Sequence, residues 1–134
     1  MKNDTKTHQE VIMKTNQKFA KFLGWELSPK GRKKMDLPPY GFLKVHPNYL
    51  RFHYYWNWLM LVVEKVEELG YSVTITQNIC TIRSTRNGHS IITMQTGVYQ
   101  ESDTKISNTY KALSLFLELI INTPWYKQMY KQKT

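Results

Sequence analysis

The spacing of apolar residues predicts a helix over about residues 56–69, at the centre of the chain. Apolar side chains recur there at intervals of three and four residues, while glutamates and one lysine occupy the other side. Gly70 stands where a left-handed residue would end the helix. In this arrangement Trp56 faces the core and Trp58 faces away from it, which makes Trp58 the better candidate for a surface contact.

The same spacing predicts two further helices. One covers about residues 10–23 and ends at Gly24, and its lysines form a basic stripe that is typical of a solvated face. The other starts at a cap formed by Ser102 and Asp103 and continues to about Asn122, because its apolar residues again repeat every three or four positions.

Between the second and third helices the apolar period changes to two, which predicts three β-strands at about 71–76, 79–84 and 89–97. Asn87-Gly88 suits the positive φ angles of a tight hairpin turn, so the strands are expected to form an antiparallel meander. The third strand is apolar on both faces, and such a strand is usually covered on both. We therefore predict an α+β fold in which an antiparallel sheet of three or more strands is sandwiched between helices.

Residues 25–53 contain four of the five prolines and many large apolar side chains. The prolines argue against a long helix, and the aromatic residues argue against a disordered linker. We expect an ordered loop, which serves either as a structural cover or as a functional segment. The length of the chain predicts one domain, 1–134, with a polar arm at 1–9, a globular core at 10–124 and a basic aromatic tail at 125–134.

The net charge of the chain is +9, from 19 Lys and Arg against 10 Asp and Glu. An excess of this size favours an anionic partner such as nucleic acid, a nucleotide or an acidic surface. Many of the cations lie near the ends of the chain, where lysines commonly serve solubility. The sequence shows neither an apolar run that could span a membrane nor a signal peptide, so we expect a cytoplasmic protein.

Few residues are arranged for catalysis. The histidines lack metal-ligand spacing, the glycines form no phosphate-binding loop, and no Gly-x-Ser-x-Gly elbow is present. The single cysteine, Cys80, excludes an intramolecular disulfide and is expected to be a buried structural thiol. We therefore expect the chain to be no enzyme and to use no metal or cofactor.

Cations and aromatic rings alternate in one stretch of the chain, and further cations border the second hairpin turn. Guanidinium groups bind phosphates through paired hydrogen bonds, and aromatic faces stack on bases. The candidate ligand-binding residues are therefore Arg51, His53, Tyr54, Trp58, Arg83, Arg86 and His89. A structural interpretation stays open for the arginines of the hairpin, since Arg83 would also fit a sheet edge and Arg86 a solvated turn.

The order of several segments resembles a group of small bacteriophage and prophage proteins. The segments are KFLGWEL, LPPYGFLK, NWLMLVVEKVEELGY, CTIRS and TKISNTYKALSLFLELI, and the similarity covers about residues 17–121. Many proteins with this order belong to the phage ABA sandwich group, although Leu61 stands where the pattern of the group has a proline. The resemblance implies a helix–sheet–helix sandwich that acts in the bacterial host cytosol. It also implies a layout similar to that of the anti-Thoeris sponge proteins, which sequester cyclic ADP-ribose signals by binding them.

Three functions remain open at this point. The first is a non-enzymatic, phage-encoded counter-defence factor that sequesters a small anionic nucleotide signal, either a cyclic nucleotide or an ADP-ribose derivative. The second is a nucleic-acid-binding accessory protein, whose affinity would depend on salt. The third is an inhibitor that binds a host protein. A homo-oligomer is compatible with each of them, and no membrane partner is expected.

Overall fold

The computed structural model describes residues 8–33, 44–77, 79–84, 91–96 and 104–121. Within these ranges the chain forms three helices and four strands. In chain order they are α1 (His8–Phe22), β1 (Leu27–Arg32), α2 (Trp56–Glu68), β2 (Tyr71–Ile75), β3 (Cys80–Ser84), β4 (Ile91–Thr96) and α3 (Lys105–Ile121). The arm before residue 8, the Asn87-Gly88 turn and the tail at 125–134 lie outside the described residues.

The α+β class predicted from the sequence is confirmed. Strands β2, β3 and β4 form an antiparallel sheet in that order, and β3 and β4 pack against α3. In its register Val73 lies opposite Ile82, and Ile82 lies opposite Met94. The change of apolar period from 3.6 to 2 therefore predicted the order of helices and strands in this half of the chain.

The chain divides into two compact units, Met1–Lys65 and Val66–Thr134, and the boundary lies within α2. The first unit contains α1, β1 and most of α2, and the second contains the sheet and α3. The prediction of one domain over 1–134 stays a prediction. Within the described ranges, no helix combines the length and the apolar character that a membrane span needs.

Two glycines end helices, as the sequence predicts. Gly24 has a φ of 82° and Gly70 a φ of 100°, both in the left-handed region that glycine adopts without strain. At the end of α1 the Trp25 amide donates to the Ala20 carbonyl at 2.9 Å, and the Gly24 amide donates to the Lys21 carbonyl at 3.0 Å. This pair of bonds is a Schellman motif, which satisfies the last carbonyls of the helix.

The start of α3 differs from the prediction. The helix begins at Lys105 and is capped by Thr104, whose Oγ1 accepts a hydrogen bond from the Ser107 amide at 3.1 Å. The predicted cap residues, Ser102 and Asp103, lie outside the described residues. Serine and aspartate are preferred over threonine as caps, and this preference makes Ser102 and Asp103 the expected cap residues in the sequence.

The short strand β1 lies in the segment that the sequence predicts to be a loop. It bridges to Val45, and the His46 amide donates to the Arg32 carbonyl at 3.0 Å. A Cβ at Gly31 would lie 2.5 Å from the Val45 carbonyl carbon, so only a hydrogen fits there. Pro29 and Gly31 are uncommon inside strands, which is why residue propensities do not indicate β1.

Four aromatic rings, called here the aromatic core, hold the first unit together. Phe52 stacks on Trp25 with 5.2 Å between ring centroids, and it meets Phe19 and Trp58 edge-on at 5.5 and 5.4 Å. Phe19, Phe52 and Trp58 are fully buried. Aromatic pairs of this geometry contribute about 0.5–1.5 kcal/mol each beyond the burial of their area. The aromatic core therefore fastens α1, the segment before α2 and α2 itself to one another.

The predicted orientation of α2 is wrong. Trp58 is fully buried, whereas 36% of the Trp56 surface is exposed. The first half of α2 is apolar on almost every side, so its spacing alone does not select a buried face. The contact of the Trp58 ring with the Phe52 ring determines that the side of α2 with Trp58 is buried. The buried residues of the helix are Trp58, Leu59, Val62, Val63 and Val66.

The core of the second unit lies between the sheet and α3. The Tyr71 ring meets Phe116 of α3 edge-on at 4.7 Å. The Thr96 hydroxyl at the end of β4 donates to the Asn108 carbonyl at 2.7 Å, which ties the first turn of α3 to the sheet. Cys80 is buried, as predicted, and burial raises the pKa of its thiol to about 11. The thiol is therefore protonated at neutral pH.

Replacing Trp58 with alanine is expected to lower the free energy of unfolding by about 3–5 kcal/mol, because it removes a fully buried ring and leaves a cavity. Trp56→Ala is the matched control. Its cost should be about 1 kcal/mol or less, since the Trp56 ring is partly exposed. Urea denaturation followed by circular dichroism measures both values. Equal losses in the two variants would contradict the observed orientation of α2.

Candidate functional site

A cleft of about 630 Å³ lies in the first unit, between α1 and the segment 47–54. Its volume is in the range of small-molecule binding sites. Its described lining residues include one arginine, one histidine, two tyrosines and no carboxylate. They are Gln9, Ile12, Met13, Asn16, Pro47, Asn48, Tyr49, Leu50, Arg51, His53 and Tyr54.

The burial of Phe52 explains why its two neighbours in the chain reach the cleft. Phe52 is enclosed in the aromatic core, whereas Arg51 and His53 are half-buried and line the cleft. The amides of Tyr54 and Tyr55 both donate to the Arg51 carbonyl, at 3.1 and 3.2 Å, and close a turn around Phe52. The turn therefore presents consecutive polar and aromatic side chains on a fixed backbone.

Asn16 joins α1 to this turn. Its side chain is buried, and its Nδ2 donates to the Leu50 carbonyl at 3.2 Å and lies 2.9 Å from Nδ1 of His53. The contact with a carbonyl identifies this atom as the amide nitrogen, which is a donor only. Nδ1 of His53 therefore accepts the second bond, and the imidazole is neutral with its proton on Nε2.

The surroundings of His53 keep this imidazole neutral. Burial, followed by the positive charge of Arg51, lowers the pKa of His53 below its usual value. The bond from Asn16 favours the same form, because a protonated Nδ1 would face another donor. Among the described lining residues, Arg51 therefore carries the positive charge of the cleft at neutral pH.

Arg51 is the lining residue best suited to bind an anion. Its Nε is buried and has no hydrogen-bond partner among the residues that the structure describes. A buried donor without a partner costs about 1–3 kcal/mol. Carboxylates and phosphates match the paired donors of a guanidinium group.

Aromatic rings border the cleft on the side of the segment 47–54. The rings of His53 and Tyr54 have centroids 4.6 Å apart and are tilted by 37°, and 65% of the Tyr54 surface is exposed. Tyr49 meets His46 edge-on at 5.0 Å, and the Lys33 ammonium lies 5.9 Å from the centre of the Tyr49 ring. Tyr54 is therefore the ring that a planar ligand group reaches most readily.

Three of the seven residues predicted for the site line the cleft together, namely Arg51, His53 and Tyr54. Trp58 does not reach it, because its ring is enclosed in the aromatic core, and the prediction of a surface contact is wrong. Arg83 lies in β3, in the second unit. Arg86 and His89 lie outside the described residues.

Sequence reasoning missed Asn16. The residue lies on the buried side of α1, one turn before Phe19 and Ala20. A polar residue among apolar neighbours of a helix face needs a buried hydrogen-bond partner, and this signal was available from the sequence. A metal site has no comparable support, since no three His, Cys, Asp or Glu side chains of the described residues come close enough to hold an ion.

Comparison with known proteins adds no relative: no protein family, no curated protein and no solved structure matches the chain. The resemblance to the phage ABA sandwich group therefore stays a prediction.

Replacing His53 with asparagine is expected to reduce the loss of stability in mild acid. The folded pKa of His53 lies below its unfolded value of 6.5, so the unfolded chain takes up the proton first. Its contribution to stability is complete above pH 6.5 and is lost as the pH falls towards the folded pKa. Asparagine offers an oxygen acceptor near the position of Nδ1 but does not titrate. Denaturation curves across this range measure the effect, and an identical decline in the variant and the wild type would contradict the neutral His53.

Proposed function

We propose that the chain is a non-enzymatic binding protein that holds a small anionic ligand with a planar aromatic group, such as a nucleotide, in the cleft of the first unit. The observation that carries this proposal is the position of Arg51. Its buried Nε has no described partner, and it borders a cleft whose described lining holds no carboxylate. A phosphate group supplies the acceptor geometry that a guanidinium group prefers.

The rings of the cleft favour a nucleotide over an inorganic anion. Tyr54 is mostly exposed, and its ring lies beside that of His53. Aromatic side chains in this position bind nucleobases by stacking. The volume of about 630 Å³ also exceeds what a single phosphate ion fills.

The lining of the cleft favours binding without reaction. Of the described lining side chains, His53 is the one that ordinarily titrates near neutral pH, and its Nδ1 is occupied by the bond from Asn16. Serine, cysteine and carboxylate groups, the common nucleophiles and bases, are missing from the described lining. In this proposal the role of the protein is sequestration: a phage-encoded counter-defence factor removes a cyclic nucleotide or an ADP-ribose derivative from signalling.

Arg51→Gln should weaken ligand binding by about 10- to 100-fold, because hydrogen bonds to a charged group are worth about 1.5–3 kcal/mol. Isothermal titration with a panel of cyclic mononucleotides, ADP-ribose and cyclic ADP-ribose derivatives measures the change. Arg32→Gln is the matched control. It removes the same charge from an exposed side chain outside the cleft and should bind as the wild type does.

Thermal unfolding of both variants shows whether they remain folded under the conditions of the titration. The proposal is wrong if no member of the panel binds the wild-type protein. Equal losses of affinity in Arg51→Gln and Arg32→Gln would show that binding depends on total charge instead of the cleft.

A further inference from the structure

Strand β2 lies at an edge of the three-stranded sheet, and β3 is its one neighbour in that sheet. Across the turn between the two strands, the Thr76 amide donates to the Ile79 carbonyl at 2.9 Å. Residues of an antiparallel strand bond a given neighbour alternately, and the register of β2 with β3 is unbroken. Every second residue before Thr76 therefore bonds β3. The residues between them direct their amide and carbonyl groups away from β3, and they are Tyr71, Val73 and Ile75.

The edge of β2 lacks the features that usually prevent a strand from pairing with another chain. Such features include prolines, charged side chains and bulges. The β2 sequence, YSVTI, contains neither a proline nor a charge, and its ladder with β3 has no bulge. The ladder of β4 differs, since its register is irregular between Ile82 and Arg83 of β3. Among the described residues, no backbone group of another segment bonds the outward groups of β2. These groups are therefore open to a further strand.

The apolar side of β2 is also incompletely covered. Tyr71, Val73 and Ile75 share the side that faces α3, because the Tyr71 ring meets Phe116. Helix α3 packs on β3 and β4, and Ile82, which lies opposite Val73, is fully buried. The three apolar residues of β2 are only half-buried. The apolar layer beneath α3 therefore continues to the edge of the sheet, where a further strand would complete its burial.

We infer that β2 pairs with β2 of a second copy of this chain, antiparallel and with Val73 on the two-fold axis. Tyr71 then lies opposite Ile75 of the second copy, and Ser72 lies opposite Thr74. Aromatic residues paired with β-branched ones, and hydroxyl residues paired with each other, are favourable neighbours across antiparallel strands. Each outward residue donates one bond and accepts one, so the sheets of the two copies join into one continuous sheet.

The sequence of β2 identifies a second copy as the occupant of this edge. Apolar and hydroxyl residues alternate in the same order in both directions from Val73. An antiparallel copy therefore places apolar beside apolar and hydroxyl beside hydroxyl, which is the self-complementarity that a two-fold interface needs. A charged partner would find no opposite charge on β2. Two paired strands of five residues bury less than the roughly 1,200 Å² at which standard interfaces begin, so the dimer is expected to be weak.

The charges of the chain oppose this dimer and give it a distinctive dependence on salt. Each copy has a net charge of +9, and Arg83 is the one charged residue of strands β2, β3 and β4. Repulsion between two such copies decreases as salt screens their charges. Because the paired strands carry no charge themselves, added salt should strengthen the dimer. Association through ion pairs or through a bound polyanion would weaken instead.

Sedimentation equilibrium over about 5–500 μM protein tests the inference, because weak interfaces of this size form at such concentrations. We expect the mass to rise from 16.0 kDa towards twice that value, and to rise at lower concentration when salt is added. Val73→Pro should weaken dimerisation by about 10- to 100-fold, since it removes an outward amide from each copy but none that bonds β3. Val73→Thr is the matched control. It keeps the amide and the β-branched shape, and it should dimerise as the wild type does. Thermal unfolding shows whether both variants are folded.

A crosslinking experiment tests the register and does not depend on the proline variant. Residue 73 would lie about 5.5 Å from its counterpart between Cα atoms, whereas residue 75 would lie about 14 Å from its own. A bismaleimide that spans less than about 10 Å should therefore join two copies of Val73→Cys and leave Ile75→Cys uncoupled. The wild type should also stay uncoupled, because its Cys80 thiol is buried.

The outcomes decide the inference without a ligand. A monomer at every concentration and salt would overturn it, as would equal dimerisation by folded Val73→Pro and Val73→Thr. It is also wrong if Ile75→Cys crosslinks as readily as Val73→Cys, or if salt dissociates the dimer. The proposed function is unaffected by these results, because the cleft lies in the first unit and β2 in the second.

Discussion

Contacts of the Phe52 ring with three other rings are the interaction on which the first unit depends. The partners of Phe52 come from the end of α1, the residue after its glycine cap, and the first turn of α2. Ordering an irregular segment costs about 1–2 kcal/mol of backbone entropy per residue, and burial of a large side chain in its middle offsets much of that cost. Arg51 and His53 flank Phe52 in the chain, so the same contact that stabilises the core fixes the backbone of the cleft. Side chains carried by such an anchored turn need little further ordering when a ligand binds.

Asn16 adds a polar constraint to this apolar one. An apolar core tolerates small displacements of its rings, whereas a buried amide that bonds Leu50 and His53 specifies where the turn lies on α1. The same bond favours the neutral form of His53, which burial and the charge of Arg51 also favour. The guanidinium group of Arg51 then acts as a single positive charge beside a neutral ring. Burial, the charge of Arg51 and this hydrogen bond together thus determine the electrostatics of the cleft.

The parts of the fold that the sequence predicts are those with a regular local pattern. Helix α1, the hairpin strands and α3 follow from apolar spacing, and the two helix ends follow from Gly24 and Gly70. Strand β1 and the buried face of α2 do not follow from a local pattern, since both depend on contacts with residues that are distant in the chain. The candidate site shows the same division. Arg51, His53 and Tyr54 are neighbours in the sequence, so the sequence alone predicts that they lie close together. Asn16 lies 37 residues before His53 and becomes part of the site only through the packing of α1.

The close approach of β1 to Val45 affects how natural variation in this chain should be interpreted. A position that accepts no side chain remains glycine wherever the fold is kept, and strict invariance is often taken as the mark of a ligand contact. At Gly31 the constraint is steric, because the backbone of residues 44–46 occupies the space that a Cβ would need. Saturation mutagenesis scored by survival alone would rank Gly31 beside the functional residues of the protein. An assay that reports the amount of folded protein separately would assign Gly31 to the scaffold.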